Sequence, residues 1–92
     1  MLKITNIEEE EQLRVVVEGK LIAPWTTELK NACEQARTQL KGRKLVVEMQ
    51  RLTVISQEGE DILLDLMNDG VEVCGSGLFT REILKQLARK RS

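Results

Sequence analysis

The sequence predicts an α/β domain in which amphipathic helices cover a mixed β-sheet. Two early stretches, Leu2-Lys3-Ile4-Thr5-Asn6 and Leu13-Arg14-Val15-Val16-Val17-Glu18, alternate apolar and polar residues as half-buried strands do. Three later stretches carry apolar residues at helical spacing, and short apolar runs separate them as strands would. A chain of 92 residues can enclose one modest core, so a single domain over residues 1–92 is expected.

The first two runs read as a hairpin whose tip is Glu8-Glu9-Glu10-Glu11. Four adjacent carboxylates repel one another and stay hydrated, which also discourages that edge from pairing with another chain. Gly19 is read as the end of the second strand, and Leu21-Ile22-Ala23-Pro24 as a link in which Pro24 starts the next element. Over residues 26–40, Leu29, Ala32, Cys33, Ala36 and Leu40 make one helix stripe. Thr26 or Thr27 is its expected cap, and Gly42 its left-handed closing residue. Lys44-Leu45-Val46-Val47-Glu48-Met49 reads as a third strand buried on both faces, and a strand after a helix implies a crossover with parallel pairing.

Residues 50–53 are expected to connect to a further short strand at Val54-Ile55. A helix then runs to Asn68-Asp69-Gly70, followed by a strand at Val71-Glu72-Val73-Cys74 and a tight turn at Gly75-Ser76-Gly77. The last helix covers residues 80–89, with Ile83, Leu84, Leu87 and Ala88 on its inner side. Leu29, Ala36, Val46, Val47, Ile62, Leu66, Val73 and Leu87 are the predicted core.

Charge and composition remove several functional classes. Fourteen basic against fifteen acidic residues give a net charge of −1, with no overall pull toward nucleic acid, and only Trp25 and Phe79 could stack on bases. No apolar run approaches the ~20 residues of a membrane span. Met1-Leu2-Lys3-Ile4-Thr5-Asn6 lacks the apolar region of a signal peptide, so a cytoplasmic protein without membrane insertion is expected. The absence of histidine removes the usual general base and the commonest nitrogen ligand for a metal. Cys33 and Cys74 form no Cys-x-x-Cys pair and read as small buried hydrophobes with free thiols. No catalytic residue, metal ligand or cofactor is assigned. Lys85, Arg89, Lys90 and Arg91 make a basic chain end suited to a helix C-terminus. Trp25 reads either as cover for the sheet or as an exposed anchor.

The chain is organised around Val54-Ile55-Ser56-Gln57-Glu58-Gly59-Glu60-Asp61, where a strand-like run becomes a helix. Ser56 is placed to accept a hydrogen bond from an unpaired N–H one turn in. Glu58, Glu60 and Asp61 follow where the helix dipole favours negative charge by roughly 0.3–1 kcal/mol each. Ile62, Leu63, Leu66 and Met67 then continue at helical spacing.

This order of elements resembles the STAS domain, the fold of bacterial anti-sigma factor antagonists. The resemblance is carried by Glu18-Gly19-Lys20-Leu21, Leu45-Val46-Val47-Glu48, Leu52-Thr53-Val54-Ile55 and the Gly70-Val71-Glu72-Val73 return. In that family the corner commonly reads Ile/Met-Asp-Ser-Ser-Gly, its second Ser taking phosphate from a switch kinase that is also an anti-sigma factor. Ile55-Ser56-Gln57-Glu58-Gly59 stands there in this chain, with Gly59 in register, Ser56 in place of the Asp and Glu58 at the acceptor position. Glu48 matches the family's other acidic strand end.

The resemblance implies a non-enzymatic protein-interaction module of bacterial signalling and transcription regulation. Its partner would be an anti-sigma factor or switch-kinase-like protein, docked through Ser56, Gln57, Glu58, Asp61 and Asp65. Glu58 offers no hydroxyl for a phosphoester, and Ser56 is a poor acceptor if its hydroxyl already caps the helix. Glu58 either imitates a phosphorylated state permanently, with one charge against roughly −1.5 to −2 for phosphoserine, or only complements the helix dipole. STAS-like proteins also serve as accessory subunits of bacterial phospholipid-transport ATPases, an alternative with a different partner. A reading of another class is an enzyme or nucleotide binder that uses Gly75-Ser76-Gly77 and a metal on Glu58, Glu60 and Asp61.

Overall fold

A computed structural model describes residues 1–90, and Arg91 of the expected basic end lies outside the described residues. β1 (Leu2–Glu8) and β2 (Gln12–Leu21) form an antiparallel hairpin, with Leu2 opposite Gly19 and Glu8 opposite Leu13. α1 (Trp25–Arg37) leads to β3 (Lys44–Ile55), α2 (Gln57–Asn68) to β4 (Glu72–Gly75), and α3 (Leu78–Lys90) follows. The sheet order is β1-β2-β3-β4, β3 lying parallel to β2 and β4 parallel to β3. The fold is therefore α/β with a mixed sheet and three helices. Among the described residues, no helix is long and apolar enough to cross a membrane.

Strand register decides which side chains meet. Leu13, Val15 and Val17 of β2 share a face with Leu45, Val47 and Met49 of β3, because side chains alternate across a strand. All three helices lay their apolar stripes on that face: Leu29, Cys33 and Ala36, then Leu63 and Leu66, then Ile83 and Leu87. Of the expected core residues, Leu29, Ala36, Val47, Leu66 and Leu87 are buried there, while Ile62 and Val73 pack against it half-buried. Val46 departs from the expectation. Next to Val47 in the strand, it points to the opposite face, away from the three helices. Val46 and Val16 are nonetheless buried there, beside a cross-strand pair in which Arg14 Nη1 lies 3.0 Å from Glu48 Oε1.

Other boundaries also differ from the sequence reading, β1 running on to Glu8 and β4 spanning Glu72–Gly75, one residue later than expected. Residues 50–53 are not a connection, since β3 runs unbroken from Lys44 to Ile55, and β2 continues past Gly19 to Leu21 alongside it. Register shifts between Val17 and Glu18 and between Gly19 and Lys20 leave Gln50 and Thr53 without partners. Strict alternation after Met49 would turn Leu52 outward, whereas the first bulge returns it to the core. Neither Thr26 nor Thr27 caps α1: Pro24 occupies the cap position, and Thr26 lies fully buried in the first turn with its Oγ1 unpaired. α1 also stops at Arg37, short of Leu40. Arg43 closes the following turn by donating to the carbonyls of Leu40 at 2.9 Å and Gln39 at 2.7 Å, and Gly42 sits in that turn at φ +84°. Finally, α3 starts at Leu78, two residues before the expected Thr80. It can do so because Gly75 lacks a β-carbon, which would collide with Thr80 Cγ2 and lie 2.6 Å from the Met49 carbonyl oxygen.

Leu63 is fully buried where α2 meets the sheet. Leu63→Ala is expected to cost about 2–5 kcal/mol in urea unfolding, and a loss below ~0.5 kcal/mol would place the core elsewhere.

Candidate functional site at the β3–α2 corner

The corner is built on the end of β2. Ser56 leaves β3 in extended conformation, φ −88° and ψ 170°, and its backbone N–H donates to the Leu21 carbonyl at 3.1 Å. Its hydroxyl accepts from the Gly59 N–H at 3.1 Å, the expected N-cap, and donates to the Leu21 carbonyl at 3.5 Å. Gly59 is buried against the same carbonyl. A β-carbon at position 59 would lie 2.6 Å from Leu21 O and 2.9 Å from Ile55 Cγ1, so only glycine lets the first turn of α2 sit this close.

That seating turns Gln57 and Glu58 out to solvent. Gln57 Nε2 donates to Asp61 Oδ1 at 3.0 Å along the helix. Glu58, Asp61 and Asp65 recur every three or four residues and form the α2 rim of a groove of about 290 Å³ between α1 and α2. Cys33, Ile62 and Leu66 line it, and Lys30 and Arg37 stand on its α1 side. Arg37 Nη2 meets Asp69 Oδ2 at 3.3 Å across the other end. The structure thus gathers Glu58, Asp61 and Asp65 on one rim with Gln57 beside them. Ser56 stays half-buried beneath, with its hydroxyl engaged on both sides.

Other expected groups are not brought there. Glu60 pairs with Lys90 of α3, Nζ to Oε1 3.4 Å, instead of joining Glu58 and Asp61. Among the described residues, no group of three or more His, Cys, Asp or Glu is placed to hold a metal ion. Gly75 and Ser76 lie at the end of β4, beside Glu48 and Cys74. Glu48 is not at a strand end, because β3 continues seven residues beyond it to Ile55, and it faces away from the helices toward Arg14. Trp25 is half-buried and packs against the core. The α1 side of the groove was missed by sequence reasoning. Its signal was the polar row Thr27, Lys30, Glu34 and Arg37 beside the apolar stripe of the same helix.

No protein-family model matches the chain, and no curated protein matches it.

The two cysteines lie on opposite faces of the sheet. Cys33 is buried between α1 and the core, and burial pushes its thiol up to about 11, the nearby Arg37 opposing and Glu34 adding to the rise. Cys74 is only half-buried and opposes Glu48 on the face away from the three helices, so it is not the core residue expected. Its thiol is raised mainly by partial burial, then by Glu48 and Glu72, with Arg14 opposing. The sheet between them prevents a bridge. The native mass is expected to be the same with and without reductant, and a loss of about two daltons without it would contradict free thiols. Because Cys33 titrates higher folded than its ordinary 9.0, its contribution to stability is constant below pH 9.0 and falls as pH rises toward about 11, which urea midpoints across that range would record.

Proposed function

We propose that this chain is a non-enzymatic protein-interaction module of the STAS kind. It docks a basic partner of the anti-sigma factor or switch-kinase class on the α2 rim of the α1–α2 groove. The observation that carries the reading is Glu58: a permanent carboxylate, exposed on the first turn of α2 at the lip of the groove. The helix dipole favours charge there, and the nearby N-cap hydroxyl is committed to backbone, so the charge is presented without competition. Asp61 and Asp65 extend it along the helix for a complementary basic surface. Ile62 and Leu66 offer an apolar lining for a partner side chain. A fixed carboxylate gives constitutive docking, since no phosphatase removes it.

A second feature supports docking. Asp65 and Asp69 stand near the C-terminal end of α2, where the dipole disfavours negative charge, and the last turn holds no basic residue to compensate. Asp61, Asp65 and Asp69 also repel one another at four-residue spacing. Within the fold only Asp69 of this row meets a cation, Arg37 of α1, so a basic partner is what would offset Asp61 and Asp65.

Glu58→Lys separates the functional from the structural role of this residue. Unfolding free energy is expected to fall by no more than about 1 kcal/mol, while affinity for a switch-kinase-type anti-sigma factor, measured on folded protein, weakens well over about tenfold and loses its salt dependence in part. Affinity unchanged within about twofold would remove Glu58 from the interface and overturn the proposal.

A further inference from the structure

The net charge of −1 conceals a segregation of charge. Five carboxylates and two cations border the α1–α2 groove. On α3 the balance is reversed: Arg81, Lys85, Arg89 and Lys90 are exposed, with Glu82 the one carboxylate of that helix. Arg81, Lys85 and Arg89 recur every four residues, as do Asp61 and Asp65 of α2 and its C-cap residue Asp69. On both helices successive charges are therefore about 6 Å apart.

The two rows do not neutralise each other within the molecule. α2 packs against both α1 and α3, but its acidic row borders the α1 side. The α2–α3 ion pair among the described residues is Lys90 to Glu60, which belongs to neither row. Arg81 and Arg89 have no ion pair among the described residues, and Lys85 meets only Glu82 of its own helix at 3.7 Å. Asp61 and Asp65 likewise meet no cation there. At the start of α3, Leu78 is 82% exposed and Phe79 44%, two large apolar side chains beside the basic row.

We propose that the α1–α2 groove of one copy receives α3 of a second copy, giving head-to-tail self-association. Leu78 enters against the apolar lining of Ile62 and Leu66, and the basic row lies along the carboxylates of the rim. A second copy is the occupant because one chain carries both complementary halves on surfaces that cannot meet within it. The contact is heterologous, so each copy keeps one free half and association continues beyond the dimer as concentration rises. Its electrostatic share is screened by salt.

Sedimentation of the whole chain across a range of concentrations, at low salt and at about 0.5 M NaCl, tests this. Mass is expected to rise with concentration at low salt, with apparent affinity at least about tenfold weaker at high salt. The pair Asp61→Lys and Asp65→Lys, and separately Arg81→Glu and Lys85→Glu, should each leave a monomer. Mixed in equal amounts, the two double variants again set opposite charges against each other, the original rows at one contact and the reversed rows at the other, and association should return. Leu78→Asp, at an exposed position where folding is not at stake, should also abolish association. A wild-type chain that stays monomeric at low salt, or a mixture that fails to associate, overturns the proposal. Self-association and partner docking share the groove but fail separately, because the first is measured without a partner and the α3 variants leave the groove intact.

Discussion

The backbone of Gly59 rests on the carbonyl of Leu21, and the candidate site depends on that approach. Leu21 ends β2 and pairs with Ile55, the last residue of β3. Its carbonyl takes hydrogen bonds from both the N–H and the hydroxyl of Ser56, while Gly59 packs where any β-carbon would intrude. One oxygen therefore joins the end of one strand, the cap of α2 and the first turn of that helix. With the first turn held this way, Gln57 and Glu58 are directed to solvent by a rigid corner. Glycine at position 59 thus has a steric reason, independent of any chemistry at the neighbouring position.

The same corner needs a long central strand pair. β2 and β3 must run together as far as Leu21 and Ile55, and they do so through two bulges that spend an extra residue each without turning Leu52 out of the core. Beyond Met49, β4 no longer accompanies β3. α3 instead supplies Ile83 and Leu87 to the core, and Lys90 at its far end reaches Glu60 in the first turn of α2. The helix that braces the corner is also the one that exposes the basic row. Stability and surface chemistry are thus divided between the two sides of α3, and likewise between the inner and outer sides of α2.

Much of this was legible in the residues, and the failures have identifiable physical causes. The hairpin, the parallel crossover, the Ser56 cap and the acidic first turn followed from alternation, helical spacing and capping chemistry, each a local rule. The connection expected at residues 50–53 was an error of period, because bulges break the alternation that identifies a strand. Thr26 looked like a cap by type, yet Pro24 takes that position and tertiary packing buries the threonine. Val46 belongs to a run that reads as buried on both faces, and such a run does not say which residues join the helix-covered core. Glu58, Asp61 and Asp65 were visible on one helix face, but the groove they border requires α1, whose approach is a matter of tertiary packing.

Gly59→Ala, followed by urea unfolding, tests the central constraint most directly. Helix propensity alone favours alanine by about 1 kcal/mol. Steric contact with the Leu21 carbonyl opposes it, and the account predicts a net loss of about 1–3 kcal/mol, the usual range for overpacking a close contact. A Gly59→Ala protein as stable as the wild type, or more stable, would show that α2 is not seated on Leu21 and would contradict the account.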